Sequence, residues 1–368
     1  MSIRAESYTK QDFVYSELLQ RIKTGVFPLN SHIPIEKDLA EEFHCSRGTV
    51  GRAVMRLVQE GLVERKPRAG TQVVRNSLGR PASAIDLDAC AFVHPSERHE
   101  GVWRCLSGFQ QAAHEARRRT LMLSTGTDYS KEAEIVGRLQ EFNVKGAVLF
   151  PVVTNPAEMA HYSQMILSCP YPVVLIELAL PGMGRPLVVG DGMHAGYTMT
   201  RCLLDQGLRR IGFLAHYAWA PYIRDRYLGY RQAMEEAGLS IDERTVHLDP
   251  AMTPDFEDPT REPQQIAATY LDQNQDLEGV VCAMDFLALG LIEAARAKGS
   301  AVPRDLKVTG IDDIGVAASA AVPLTTYHMP YEIMGSRAFE LLDEQMNGRR
   351  ASRLEVQVRG ELVRRVSA

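Results

Sequence analysis

From Ala89 onward, short apolar runs alternate with amphipathic segments of helical period, and no other feature constrains the fold of this chain as much. The runs predict strands over 89–93, 121–124, 146–150, 173–176, 187–190, 211–215, 279–283 and 307–311. Helical spacing predicts helices over 102–116, 131–141, 195–206, 226–237 and 286–297. Repeated strand–helix alternation gives parallel sheets covered on both faces, because each parallel connection must cross over its sheet. About 280 residues exceed what one hydrophobic core holds, so two lobes are expected. Ligands in such lobes sit beyond the carboxyl ends of the strands, which directs the search to the segments that follow each strand.

The first 75 residues read differently. Phe13, Val14, Leu18, Leu19 and Ile22 have helical spacing, and Gly25 and Pro28 close that helix. A second helix is expected over 36–43, after Pro34. Ser46 is a good N-cap for a third, whose apolar face is Val50, Val54, Leu57 and Val58 and whose end is Gly61. Segments 62–65 and 71–74 alternate around Lys66-Pro67-Arg68-Ala69-Gly70 and read as a β-hairpin. Three helices and a hairpin make a winged helix-turn-helix, whose third helix enters the major groove by its N-terminus. Ser46, Arg47 and Thr49 lie at that end and Arg52 one turn on, while Lys66 and Arg68 sit at the hairpin tip. Arginine forks match guanine, and tip cations reach phosphate or the minor groove. The alternative reading is a set of ordinary surface charges on a small helical domain.

Charge placement favours the DNA reading. The net charge is -5, yet residues 1–75 hold 12 Lys/Arg against 9 Asp/Glu, and the remainder holds 29 against 37. A locally basic face on an acidic protein is the footprint of a nucleic-acid reader. Six scattered cysteines without a C-x-x-C pair, and histidines without ligand spacing, predict no disulfide framework, no metal and no cofactor. The N-terminus carries no signal-like apolar stretch and no run approaches membrane length, so a cytoplasmic protein is expected. No Walker loop, nucleophile elbow or dinucleotide fingerprint appears, so no catalytic residue is assigned.

Polar residues cluster at predicted strand ends in the large region: Glu177, Asp191, Tyr222, Arg224, Arg226, Asp285, Asp312 and Asp313. Carboxylates, arginines and aromatic rings around one cleft suit a hydroxylated ligand such as a sugar. The competing reading is that these residues cap the helices they precede, which is expected chiefly of Asp285 and of one of the pair Asp312 and Asp313.

Two resemblances sharpen these expectations. The segments Pro34-Ile35-Glu36-Lys37-Asp38-Leu39-Ala40, Ser46-Arg47-Gly48-Thr49-Val50, Leu57-Val58-Gln59-Glu60-Gly61-Leu62-Val63 and Ala69-Gly70-Thr71 resemble the reader head of the gluconate-repressor (GntR) family. That likeness implies DNA contacts from Lys37, Arg47, Thr49 and the wing. Two departures bear on base preference: Gly51 stands at a common arginine position, and Arg68 replaces the first wing glycine. The segments 172–177, 207–211, 226–230, 308–313 and 323–326 resemble the effector domain of the lactose/galactose-repressor (LacI/GalR) family, which is periplasmic-binding-protein-like. It implies effector contacts from Arg226 and Asp312, with Glu177 in place of an aspartate and Tyr331 at a common aromatic position. Met284 stands where an asparagine often meets ligand.

The expected protein is α/β: a winged helix-turn-helix over 1–75, a linker over 76–88, and a two-lobed effector domain over 89–368. The expected function is that of a transcriptional regulator, with repression the leading reading. A double-stranded DNA operator, a sugar-like effector and a second copy of the chain are the expected partners. The candidate effector residues are Glu177, Tyr222, Arg226, Asp285, Asp312 and Tyr331. A solute-binding transport protein and an α/β enzyme are the rivals, and each lacks the sequence features it needs.

Overall fold

Ser46 begins the helix that organises the N-terminal unit: its Oγ accepts the Thr49 amide at 3.1 Å, satisfying one of the amides left open at a helix start. A computed structural model describes residues 10–66, 70–74, 89–96, 98–151, 153, 155–180, 182–251, 255 and 257–368. The expected linker over 76–88, Arg68 and the side chain of Lys66 lie outside the described residues. The chain divides into two units, Met1–Ile85 and Asp86–Ala368.

In the first unit, α1 (Lys10–Lys23) is followed by β1 (His32–Ile33), α2 (Glu36–Glu42), α3 (Arg47–Gln59), β2 (Val63–Lys66) and β3 (Gly70–Val73). Val14, Leu18 and Ile22 from α1 bury against Val50, Ala53, Val54 and Leu57 of α3, each with essentially no exposure. Gly61 adopts a φ of 66°, the left-handed turn that returns the chain from α3 into the wing. β2 and β3 pair antiparallel with Val63 opposite Val73, as the alternation implies. The structure adds β1, which pairs with the other edge of β3 through His32–Gln72. Two residues are too few for a periodic signal.

The second unit is built from parallel strands. β4 (Ala89–His94), α4 (Glu100–Glu115), β5 (Arg119–Ser124), α5 (Tyr129–Arg138), β6 (Gly146–Leu149), α6 (Glu158–Ser168), β7 (Val173–Ile176) and β8 (Leu187–Gly190) form most of lobe one. The chain then enters lobe two through α7 (Gly192–Leu204), β9 (Ile211–Ala215), α8 (Pro221–Glu236), β10 (Val246–Leu248), α9 (Arg261–Gln273) and β11 (Gly279–Cys282). α10 (Asp285–Ala297), β12 (Lys307–Asp312), α11 (Gly315–Ser319) and β13 (Thr325–His328) complete it. α12 (Tyr331–Met346) and β14 (Glu355–Val358) return to lobe one, and β15 (Glu361–Val363) crosses once more. The sheet orders are β14-β8-β7-β6-β4-β5 and β10-β9-β11-β12-β13-β15. All neighbours are parallel except β13 and β15. Every residue of β4, β6, β7, β9 and β11 is buried, which is why these strands read as unbroken apolar runs.

Each lobe carries a helix pair in backbone contact at glycines. A Cβ on Gly108 of α4 would overlap the Glu332 carbonyl of α12, and one on Gly335 would overlap the Cys105 carbonyl. Gly196 of α7 and Gly229 of α8 repeat the arrangement against Arg226 and Met193. Nearby, Phe109 sits edge-on between Phe92 and Phe339, with centroids 5.1 and 5.7 Å away. A Gly335→Ala change therefore forces α12 off α4, and overpacking of this kind costs about 3 kcal/mol. Urea denaturation of the variant checks this; an unchanged midpoint would contradict the packing described.

Candidate functional site

The carboxyl ends of both sheets face a cleft of about 860 Å³, its open mouth included. β7 delivers Glu177, and the segment after β6 delivers Phe150, Pro151 and Val153. From lobe two, Tyr217 and Trp219 follow β9, Tyr222 and Arg226 lie on the first turns of α8, and Met284 follows β11. Asp312 ends β12, and Tyr331 begins α12 directly after a crossing between lobes.

Arg226 and Asp312 anchor the floor. Arg226 donates from Nη1 to the Ala283 carbonyl at 2.5 Å and from Nη2 to Asp312 Oδ1 at 2.9 Å. The Tyr331 hydroxyl donates to the same Oδ1 at 2.9 Å, joining lobe one to lobe two. Burial alone disfavours a charged Arg226, but Asp312 reverses the balance and raises its pKa above the usual arginine value. Its guanidinium also lies over the Tyr222 ring, 5.6 Å from the centroid.

Three buried polar atoms at this cleft have no hydrogen-bond partner among the described residues: Glu177 Oε2, Arg226 Nε and Trp219 Nε1. Arg226 Nε and Trp219 Nε1 are donors, while Glu177 Oε2 accepts when ionised and donates when protonated, and ligand hydroxyls, which both donate and accept, can satisfy all three. Glu177 (φ 62°), Tyr217 (φ 59°) and Asp312 (φ 129°) all hold left-handed backbone at strand ends, where non-glycine residues are rare and strain collects at functional sites.

The structure thus brings together Glu177, Tyr222, Arg226, Asp312 and Tyr331, and places Asp285 elsewhere. Asp285 is fully buried beneath the cleft, accepting from Thr326 Oγ1 at 2.5 Å and from the Ile314 amide at 3.0 Å. It starts α10 without capping it, since Met284 holds the N-cap position. Neither Asp312 nor Asp313 caps α11; Asp313 instead takes Arg365 at 2.6 Å and His328 at 2.9 Å. Arg224 points to solvent and pairs with its neighbour Asp225. Asp191 caps α7 and binds Arg359 at 3.0 Å, at the crossings rather than in the cleft.

Sequence reasoning missed Phe150, Tyr217 and Trp219, although Phe150 ends the strand expected over 146–150 and the other two follow the strand expected over 211–215, where the strand-end rule could have found them. It also missed Arg104, which nothing in the sequence of α4 distinguishes. Buried Arg104 donates to both Glu332 oxygens at 2.7 and 3.0 Å, to the Asp312 carbonyl at 3.2 Å and to the Met329 carbonyl at 3.0 Å.

In the first unit, Lys37, Ser46, Arg47 and Arg52 are exposed and Thr49 is half-buried. Ser46 and Thr49 are bound to each other through their hydroxyls at 2.9 Å. Arg52 donates to Gln11 Oε1 at 3.1 Å, whereas Lys37 and Arg47 have no side-chain partner among the described residues. Arg65 of the wing pairs with Glu36, which lies beside Gly51.

Burial pushes the Glu177 carboxyl up to about 7, against the lowering effects of the Gly190 amide and Arg226. The native state therefore keeps a proton that the unfolded chain releases near 4.5, and stability contributed by this group is lost as pH rises through about 7. Glu177→Gln should raise the melting temperature at pH 8 relative to the parent protein, with the difference closing by pH 5. Calorimetric scans at the two pH values check this, and an equal shift at both would contradict it.

Residues 10–73 match the family described as bacterial regulatory proteins, gntR family, and residues 200–368 match the periplasmic binding protein-like domain. The arabinose metabolism transcriptional repressor of Geobacillus stearothermophilus is 27% identical over 358 residues, covering 95% of each chain. Among solved structures, the transcription regulator GntR from Chromobacterium violaceum superposes with a TM-score of 0.63 at 25% identity, over 76% of this chain and 98% of that one. The transcriptional regulator CelR in its cellobiose complex gives 0.67 at 22% identity, over 91% of this chain and 100% of that one, which shows the shared fold. No helix among the described residues is long and apolar enough to cross a membrane. The chain joins a gntR-family regulatory domain to a periplasmic-binding-protein-like domain and is a transcriptional regulator of the LacI/GntR type.

Proposed function

We propose that this regulator is a repressor whose hold on its operator is controlled by a small hydroxylated ligand, a sugar or close relative, bound in the cleft between the lobes. The observation that carries the reading is that three residues lining one cavity, Glu177, Arg226 and Trp219, each hold a buried polar atom with no partner among the described residues. A bound polyol hydroxyl both donates and accepts, so it removes the cost of leaving those groups buried and unpaired. The arabinose repressor and the cellobiose complex among the similar proteins support a sugar-like effector.

Glu177 comes from lobe one and Arg226, Trp219 and Asp312 from lobe two, so a ligand touching both favours the closed arrangement. It shifts the equilibrium only by its difference in affinity for the two arrangements. The effector contacts are Glu177, Tyr222, Arg226, Asp312 and Tyr331. Arg47, Thr49, Arg52 and Lys37 meet DNA, with the wing residues Lys66 and Arg68. One reader head per chain calls for a homodimer on a two-fold operator. The six free thiols, five of them buried, suit the reducing cytoplasm where DNA is found.

Arg47→Ala should lose operator discrimination by roughly 1–3 kcal/mol per half-site while leaving weak general DNA binding. Gel-shift titration on an operator selected from random DNA reads this directly; an undiminished preference for operator would remove Arg47 from the interface.

Arg226→Ala strands Asp312 as a buried charge, at a cost of about 3–5 kcal/mol, so a milder change tests the sensor. Arg226→Lys keeps the charge and loses the fork that reaches both Asp312 and Ala283. It should fold and hold operator, yet fail to respond to the sugar that a melting-temperature screen identifies. Wild-type effector affinity by calorimetry, with wild-type DNA release, would place the sensor elsewhere.

A further inference from the structure

The cleft is chemically divided. Its polar end is compact: Arg226, Asp312 and Tyr331 are already bonded to one another, with the free oxygen of Glu177 also at the cleft. The rest of the lining is mostly apolar, with His99, Tyr217 and Tyr222 as its other polar side chains. Val153 and Leu178 of lobe one belong to a single hydrophobic cluster, and Trp219 of lobe two packs against it from across the cleft. Phe150 and Met284 extend that surface. A free monosaccharide carries hydroxyls around its whole rim, and every buried hydroxyl needs a partner. Hydroxyls turned toward Val153, Leu178, Phe150 and Met284 would find none. The indole N–H of Trp219, buried and without a partner among the described residues, suits a single acceptor such as a bridging oxygen.

We propose that the effector is a glycoside with an apolar, aryl-type aglycone rather than a free sugar. Its sugar hydroxyls bind Glu177, Arg226 and Asp312, and its ring system lies against the apolar surface that Val153, Leu178 and Trp219 form together. This rests on the cleft being the effector site, and deepens that reading by naming the ligand class. Met284 fits the division, since a thioether fills space beside a ring and offers no strong hydrogen bond.

The test uses the full-length protein and matched probes. D-glucose, D-galactose, D-xylose and L-arabinose are each offered as the free sugar, the methyl glycoside and the phenyl glycoside, with cellobiose and phenol alongside. Calorimetry should find, for at least one sugar, a phenyl glycoside bound at least tenfold more tightly than its methyl counterpart, because only the former buries a ring. In Met284→Asn or Val153→Ser that ratio should fall toward one. A free sugar or cellobiose binding as tightly as the best phenyl glycoside, in a manner weakened by Arg226→Lys, would overturn the glycoside assignment and leave the sugar-effector reading standing. Phenol binding as tightly as the phenyl glycosides would also overturn it, since the polar end would then contribute nothing. Failure of every probe to bind would overturn both.

Discussion

Asp312 gathers side chains from three elements at the end of one strand. Its carboxylate takes Arg226 from α8 and Tyr331 from α12, and its carbonyl takes Arg104 from α4. A buried ion pair seldom adds net stability, because desolvation offsets most of the Coulombic gain. What it does is fix geometry, since any arrangement that separates the partners leaves a charge in an apolar surround. The Arg226 fork, held at one end by Asp312 and at the other by the Ala283 carbonyl, ties the ends of β11 and β12 to α8. The left-handed backbone of Asp312 is tolerated because these contacts over-determine it.

The same residue lies where the two lobes communicate. Tyr331 and Arg104 belong to lobe-one helices, and both reach across to Asp312. Glu100, at the start of α4, accepts the Gly315 amide of α11 at 2.7 Å. The chain crosses between lobes after β8, β13 and β14, and the crossings are bound to one another. The Asp191 amide donates to the Val358 carbonyl, while its carboxylate holds Arg359. The Tyr327 hydroxyl accepts the Gly360 amide at 2.8 Å and meets His194 Nδ1 at 2.8 Å. The three crossings are therefore short and bound to one another, the arrangement that hinges between domains commonly have.

Much of this was legible in the sequence, for identifiable reasons. The buried parallel strands show as apolar runs because both of their faces are covered, so β7 and β9 appear at their full extent. Ser46 reads as a cap because capping is a local event completed within three residues. Strand-end placement carried Glu177, Arg226 and Asp312 to the cleft, because topology alone puts the carboxyl ends of parallel strands together. Asp285 satisfies the same rule, yet lies beneath the cleft, bound to Thr326 and Ile314. A strand-end rule gives position along the chain but not depth. β1 was missed because two residues have no period, and β10 and β15, three residues each, carry little more signal.

By itself the sequence determined the class of the protein: a winged reader head, a two-lobed parallel α/β domain, and the set of polar residues at strand ends. These follow from local periodicity, capping and chain topology, each of which acts over a few residues or along one connection. Only the tertiary structure decided which of those polar residues share a cavity. Arg104 and Glu332 are 228 positions apart, and Arg226 and Asp312 are 86 apart. Their pairing, like the division of the cleft into a polar end and an apolar wall, depends on which side chains the packed lobes bring face to face, and no local pattern encodes that.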